Sequence, residues 1–276
     1  MISTADARID LDALRRMKAQ GRPFAMLTAY DYPTAAAAQA AGVHALLIGD
    51  SLACVVLGRD NTRGAPFELM LALAEAVRRG APRAYFVGDM PYERMVAGAD
   101  AVVDAAGRFR DEAGCDAVKI EVAPEHDDLV LRLTRAGIET IAHLGLRPQT
   151  VTTPDGYRAQ ARDPASICAL VDHARRMVDA GAAMLLLEAV PGEASRAVVD
   201  AVEAPVIGCG AGPACDGHVV VTHDLLGISA GRPPRFVPVL ANLRETTEHA
   251  MRTYVADVAA RRYPAAEHVY GMRKAP

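Results

Sequence analysis

The sequence predicts a closed (β/α)8 barrel, and three observations carry that prediction. One unit recurs: Ala-Gly, a short spacer, an apolar run, then a polar residue, as in AGVHALLIGD (41–50), AGCDAVKIE (113–121), AGIETIAH (136–143) and AGAAMLLLE (180–188). Ala-rich segments of helical character separate the apolar runs, and strands alternating with helices form a parallel sheet. Eight such runs fall within 276 residues with no Pro/Gly/Ser-rich linker, which favours a single closed barrel over a doubly wound sheet.

The elements follow in order. A helix is expected before the first strand, FAMLTA (24–29). The second strand lies in the repeat at 41–50, the third in AYFVGD (84–89), and the fourth to sixth in the other three repeats. PVIGCG (205–210) is read as the seventh and LLGIS (225–229) as the eighth. Glycine after each helix suits a C-cap, which needs a residue that tolerates positive φ. Apolar runs of four to six residues suit strands buried on both faces. Helices are expected over 68–79, 98–113 and 164–180, and 240–263 reads as one or two helices closing the C-terminus. Residues 1–276 are thus read as one barrel domain with an N-terminal helix and a C-terminal helical extension.

Just over half of the residues are hydrophobic (51%), enough for a sizeable core. A net charge of −4 argues against a nucleic-acid surface. The longest apolar runs are too short to span a bilayer. The first twenty residues mix acids and bases without an apolar stretch, so no signal peptide and a cytoplasmic setting are expected. Cys54, Cys115, Cys168, Cys209 and Cys215 are scattered without a CxxC pair, so all five are expected to be reduced and structural.

Catalytic groups of such barrels sit at the C-terminal ends of the strands. Here those ends carry Asp50, Asp89, Lys119 with Glu121, His143 and Glu188, on the second to sixth strands. Lys119 and Glu121 are two apart and point to one side of their strand. Each residue alone admits a plainer reading. Asp50-Ser51 would cap the next helix, Lys119 and Glu121 would pair with each other, and His143 would be a hydrogen-bonded core residue. Their joint placement points instead to one site. Carboxylates gathered in a pocket repel unless a cation is present. The ligands on offer are oxygens without a Cys/His cluster, so magnesium or another hard divalent ion is expected. A metal holding a 2-oxo acid through its carboxylate and keto oxygens acidifies the adjacent carbon, and a carboxylate off the metal can take that proton.

Other features read as structural. GCGAG (208–212) lacks dinucleotide spacing and a P-loop lysine, and fits a tight turn above the seventh strand. The Arg-Arg pairs at 15–16, 78–79, 175–176 and 261–262 read as solvated helix faces. Asp172, His173 and Asp179 read as surface residues of a helix.

Ten segments together carry a resemblance: LTAYDYPTA (27–35), IGDSL (48–52), AVRRGAP (76–82), GDMPY (88–92), AVKIE (117–121), AHLGLRPQ (142–149), GYRAQAR (156–162), LLLEAVP (185–191), VIGCGAG (206–212) and CDGHVVVTHDLLGI (215–228). In that order they resemble the ketopantoate hydroxymethyltransferase family, over residues 22 to 268. The resemblance implies a (β/α)8 TIM barrel of the phosphoenolpyruvate/pyruvate type. It also implies magnesium-dependent transfer of a one-carbon unit from 5,10-methylenetetrahydrofolate to 3-methyl-2-oxobutanoate, and a large homo-oligomer, often a decamer. By position, Asp50 and Asp89 match metal ligands that also face the substrate, and Glu121 matches the acid near the metal. Ser51 and Lys119 match substrate contacts, His143 a pocket residue, and Glu188 the base that takes the C3 proton.

The chain departs from the family after the second strand. Ala53 stands for a glycine, Arg59 for a histidine, RGAPF (63–67) for a threonine-rich segment, and Leu73 for a histidine. The metal and base positions are retained, so the expectation is intact chemistry with an altered fit to substrate or folate. Two further readings stay open. One is a magnesium-dependent C–C or P–C lyase or mutase on another 2-oxo acid, although many of those relatives carry a loop cysteine, as in KKCGH, that is absent here. The other is a catalytically weak paralogue acting as a binding or oligomer partner, which the remodelled 59–73 segment suits.

Overall fold

The apolar runs form the strands of a closed parallel barrel: β1 (Phe24–Thr28), β2 (Ala45–Ile48), β3 (Tyr85–Asp89), β4 (Ala117–Glu121), β5 (Glu139–Gly145), β6 (Met184–Glu188), β7 (Val206–Cys209) and β8 (Gly217–Val220). They lie in sequence order, and β8 pairs with β1 to close the ring. This computed structural model describes residues 7–153 and 156–272, so both ends of the expected 1–276 span lie outside the described residues. The chain divides into two compact units, 1–222 and 223–276.

In the first unit the helices are α1 (Leu11–Ala19), α2 (Tyr32–Ala40), α3 (Leu52–Val55), α4 (Phe67–Gly80), α5 (Tyr92–Ala97), α6 (Ala99–Asp111), α7 (Asp127–Arg135), α8 (Pro164–Asp179) and α9 (Gly192–Ala201). A four-residue helix, α10 (Thr222–Leu225), begins at the last residue of this unit. The second unit holds α11 (Leu243–Ala259), which has no buried residue and is capped by the side chain of Asn242.

Side chains that alternate along the strands fill the lumen. Met26, Leu47, Val87, Ala117, Ile141, Leu186, Ile207 and Val219 form one buried cluster. The stripe Leu11, Leu14 and Met17 of α1 joins the same cluster, and Asp10 starts that helix by accepting from Ala13 N at 2.8 Å. A second cluster lies between strands and helices, with Leu46, Ile48, Phe86, Val118, Leu185 and Val206 facing outward against Phe67, Met70, Phe109 and Val130. Two steps along a lumen-facing run lead to the next inward side chain, so Val87, Ala117, Ile141 and Leu186 direct Asp89, Lys119, His143 and Glu188 to the mouth.

The eighth strand corrects the sequence reading. It is Gly217–Val220, not 225–229. The seven residues between β7 and β8 contain no helix, so the Ala-Gly rhythm stops before it. Gly217 is required where it stands, since a Cβ would lie 2.3 Å from the Phe24 ring. In 225–229, Leu225 ends α10, and Gly227 N and Ile228 N bond back to Asp224 O and His223 O at 3.1 and 3.0 Å, so the chain turns there. The outer face of this arc is bare, with Ala25 of β1 and His218 of β8 both exposed.

Arg78 is a second correction, because it is not on a solvated face. Its side chain, 16% exposed, donates to the carbonyls of Gly114, Ala81, Pro82 and Ala84 and meets Asp116 at 2.6 Å. Asp116 also accepts from Phe86 N at 2.8 Å and pairs with Arg8. The cluster ties α4 to the starts of β3 and β4, at the end opposite the mouth. Arg78→Ala leaves a largely buried carboxylate and four carbonyls short of a donor, so a loss of about 3 kcal/mol is expected. Urea unfolding measures it, and an unchanged midpoint would contradict the assignment.

Candidate active site

Strand register brings the strand-end residues together. Asp89 lies opposite Lys119, Glu121 opposite His143, and Gly145 opposite Glu188. Gly145 has φ of 86°, and a Cβ there would stand 2.4 Å from Glu188 O, so the backbone of β6 passes where a side chain would be. Asp50, just past β2, joins them: its N–H donates to Asp89 Oδ2 at 3.0 Å. Asp50, Asp89, Lys119, Glu121 and His143 are buried, whereas the Glu188 side chain is 18% exposed.

The contacts depart from the plainer readings of Ser51 and Lys119. Ser51 precedes α3 without a side-chain cap bond; its hydroxyl lies 2.7 Å from Tyr30 Oη instead. Lys119 pairs with Asp89, Nζ to Oδ1 at 2.7 Å, rather than with Glu121. Glu121 accepts from Gln149 N, 3.2 Å to each carboxylate oxygen. His143 lies between Lys119 and Glu188, with Nδ1 3.3 Å from Lys119 Nζ and Nε2 3.3 Å from Glu188 Oε2.

Two residues escaped the sequence reading. Gln149, buried, donates its side-chain amide to Asp50 Oδ2 and to Met90 O, both at 2.9 Å, while its N–H serves Glu121. One residue thus links two of the acids. Tyr30 holds Ser51. Both lie in motif segments noted above, AHLGLRPQ and LTAYDYPTA, but Gln149 reaches the site from a short 3-10 turn (Pro148–Thr150) and Tyr30 from the loop after β1, so neither shows a strand-end pattern.

Burial sets the charge states. It raises Asp89 to about 7, against the lowering pull of Lys119 and with a further rise from Asp50. It raises Glu121 well above the usual carboxylate range, again against Lys119, and Glu188 to about 7, offset in part by Lys119. Burial and then the Lys119 charge push His143 well below its ordinary value, so the imidazole is neutral. Burial also works against the Lys119 charge, but Asp89, Asp50 and Glu121 outweigh it and keep the ammonium. Cys209, opposite Glu188 in register, is a thiol pushed up by burial and then by that carboxylate. All five cysteines are free.

Four carboxyl groups therefore share the mouth with one ammonium and a neutral imidazole. Asp89 Oδ1 is buried without an aligned hydrogen bond even though Lys119 Nζ is close. This surplus of oxygen donors fits a hard divalent cation. Among the described residues no group of three His, Cys, Asp or Glu side chains forms a ready cage. A cation there would take one or two carboxylates and complete its shell with water and substrate oxygens, as magnesium does.

After Glu188 the chain turns sharply. Ala189 has φ of 49°, which costs about 1 kcal/mol for a residue with a side chain. Its N–H donates to Cys209 O at 2.9 Å, and its carbonyl accepts from Gln160 N at 2.8 Å. In the segment that departs from the family, Ala53 is wholly buried and Leu73 packs half-buried on the outer core. Arg59 is exposed, its stem against Gly64, where a Cβ would meet Arg59 Cδ at 2.4 Å.

Comparison with known proteins agrees with the geometry. Residues 8–266 match the family model described as ketopantoate hydroxymethyltransferase. A protein of Geobacillus kaustophilus (strain HTA426) named 3-methyl-2-oxobutanoate hydroxymethyltransferase is 43% identical, over 94% of this chain and 92% of its own. One of the same name from Bacillus subtilis (strain 168) is 40% identical, over 96% of this chain and 95% of its own. Among solved structures, 2,3-dimethylmalate lyase, a PEP mutase/isocitrate lyase superfamily member, superposes with a TM-score of 0.59 over 95% of this chain and 91% of that one, at 19% identity. That likeness speaks for the fold alone.

Proposed function

The chain belongs to the ketopantoate hydroxymethyltransferase family, and from that premise we propose that it transfers a hydroxymethyl unit from 5,10-methylenetetrahydrofolate to 3-methyl-2-oxobutanoate, giving 2-dehydropantoate for pantothenate synthesis. One observation carries the reading beyond family membership: the acids divide into two kinds. Asp50, Asp89 and Glu121 are joined through Gln149 and through the Asp50 N–H. Glu188 stands apart from them, across His143.

Asp50 and Asp89 would hold magnesium, with Glu121 behind them. Bound there, the ion supplies Lewis-acid polarisation of the substrate's keto oxygen and so acidifies C3. Lys119 and Ser51 bind the oxo acid, with Tyr30 fixing the Ser51 hydroxyl. Glu188 removes the C3 proton, which requires its ionised form. Negative charge then develops on the keto oxygen and faces the Lys119 ammonium. C3 then bonds to the one-carbon unit as the carbon–nitrogen bonds that hold this unit on the folate break; water supplies the hydroxyl oxygen, and tetrahydrofolate leaves. A cytoplasmic setting and homo-oligomeric assembly belong to the same reading. Among the described residues no helix is long and apolar enough to cross a membrane.

The test is a coupled assay with methylenetetrahydrofolate, magnesium and a panel of 2-oxo acids. Folate-dependent consumption of 3-methyl-2-oxobutanoate, abolished by EDTA and restored by magnesium, is the expected result. Cleavage of a 2-oxo acid derivative without folate would favour a lyase, and no turnover of any acid would favour a non-catalytic role.

A further inference from the structure

The proton on a histidine ring is placed by the neighbours of its two nitrogens. His143 has Lys119 Nζ 3.3 Å from Nδ1 and Glu188 Oε2 3.3 Å from Nε2. An ammonium carries three hydrogens and no lone pair, so it can only donate. The ion pair of Lys119 with Asp89, Nζ to Oδ1 at 2.7 Å, keeps that ammonium in place. A hydrogen on Nδ1 would point at another hydrogen, and the Lys119 charge acts on the ring more strongly than the Leu146 carbonyl, the other acceptor in reach of it, so Nδ1 is the bare nitrogen. A neutral imidazole with a bare Nδ1 bears its hydrogen on Nε2. That N–H is buried and without an aligned acceptor, although a carboxylate oxygen lies beside it. A buried donor left unpaired is costly, so a small turn of the Glu188 side chain onto it is favoured.

We propose that His143 is a positioning residue for the base: Lys119 fixes it as the Nε2–H tautomer, and that hydrogen holds Glu188 Oε2, leaving Oε1 to face the substrate carbon. The proposal rests on the reading of Glu188 as the base. The main chain around Glu188 is fixed by hydrogen bonds. Leu146 N donates to Glu188 O, and Ala189 N to Cys209 O, both at 2.9 Å. Gly145, opposite in register, offers no side chain. With its backbone fixed and its carboxylate held at one oxygen, Glu188 retains one free oxygen in a defined place.

The first test needs no substrate. In 15N NMR of the ligand-free protein, with His143 assigned by its absence in His143→Gln, Nε2 is expected to be protonated and Nδ1 bare. A proton on Nδ1 overturns the proposal. The second test is deuterium exchange at C3 of 3-methyl-2-oxobutanoate. The amide nitrogen of glutamine reaches the place of Nε2, whereas that of asparagine falls near Nδ1. Exchange is expected to drop about 10–100-fold in His143→Asn, the range found when a partner that orients a functional ligand is removed, and clearly less in His143→Gln. Equal losses, or the reverse order, overturn the positioning role. Parental exchange in Glu188→Gln would instead remove the base itself, and the tautomer, read without substrate, separates that failure from this one.

Discussion

Glu188→Gln is expected to lose C3 deuterium exchange into 3-methyl-2-oxobutanoate by a factor of about 10²–10⁴, the usual worth of a general base. It should still bind magnesium and the acid, because glutamine keeps the shape and none of the contacts of Asp50, Asp89 or Glu121 involve position 188. Proton exchange needs no folate, so the measurement isolates this step. The pH dependence follows from burial, which raises Glu188 from 4.5 to about 7 against the pull of Lys119. In the metal-free protein the basic form grows as pH rises through about 7, and a cation nearby moves that midpoint down. The same shift has a sign for stability. A carboxyl raised in the folded state contributes stability that is fully present below its unfolded value, 4.5, and is lost as pH rises through about 7. Glutamine cannot ionise, so the variant should be at least as stable as the parent at pH 8, by comparison of melting temperatures. Parental exchange in the variant would mean that the base is elsewhere.

The second large effect is expected at Asp89. Asp89→Asn should weaken magnesium binding by at least about 100-fold, since loss of a mere supporting partner already costs 10–100-fold, and folate-dependent turnover should fall to background. Asparagine is the better probe than alanine because Asp89 Oδ2 accepts from the buried Asp50 N–H at 3.0 Å. Alanine would orphan that donor at about 1–3 kcal/mol, confusing a metal effect with a folding one. Asparagine also ends the ion pair at 2.7 Å from Lys119, leaving Asp50 and Glu121 to balance the ammonium. Isothermal calorimetry with magnesium chloride decides the matter, and an unchanged affinity would take Asp89 out of the ligand set.

Strands buried on both faces read as continuous apolar runs, which is why β2, β3, β4 and β6 were legible as short segments leading to a polar residue. The six polar strand-end residues were legible for the same reason. A charged side chain after such a run has few explanations, and the period of two sends it to the mouth. β8 was hidden because its four residues include an exposed histidine and no helix precedes it. Gln149 and Tyr30 were hidden because the reach of a residue outside the strands, in a 3-10 turn or a loop, depends on tertiary structure. Arg78 shares its dipeptide with pairs that are solvated, and only the folded chain brings the carbonyls of Gly114 and Ala84 to its guanidinium.

The missing helix between β7 and β8 divides the ring into two arcs of unequal protection. The strands that carry the polar mouth residues, β2 to β6, have helices after each of them. The seam formed by β7, β8 and β1 has a bare outer face at Ala25 and His218. Opening events in folded proteins start where few apolar contacts must be broken. Local opening is therefore expected first at this seam, in amides such as those of Ala25 and His218, ahead of the arc that fixes Asp89, Lys119, His143 and Glu188 relative to one another. The wall can loosen on one side without blurring the distances on the other.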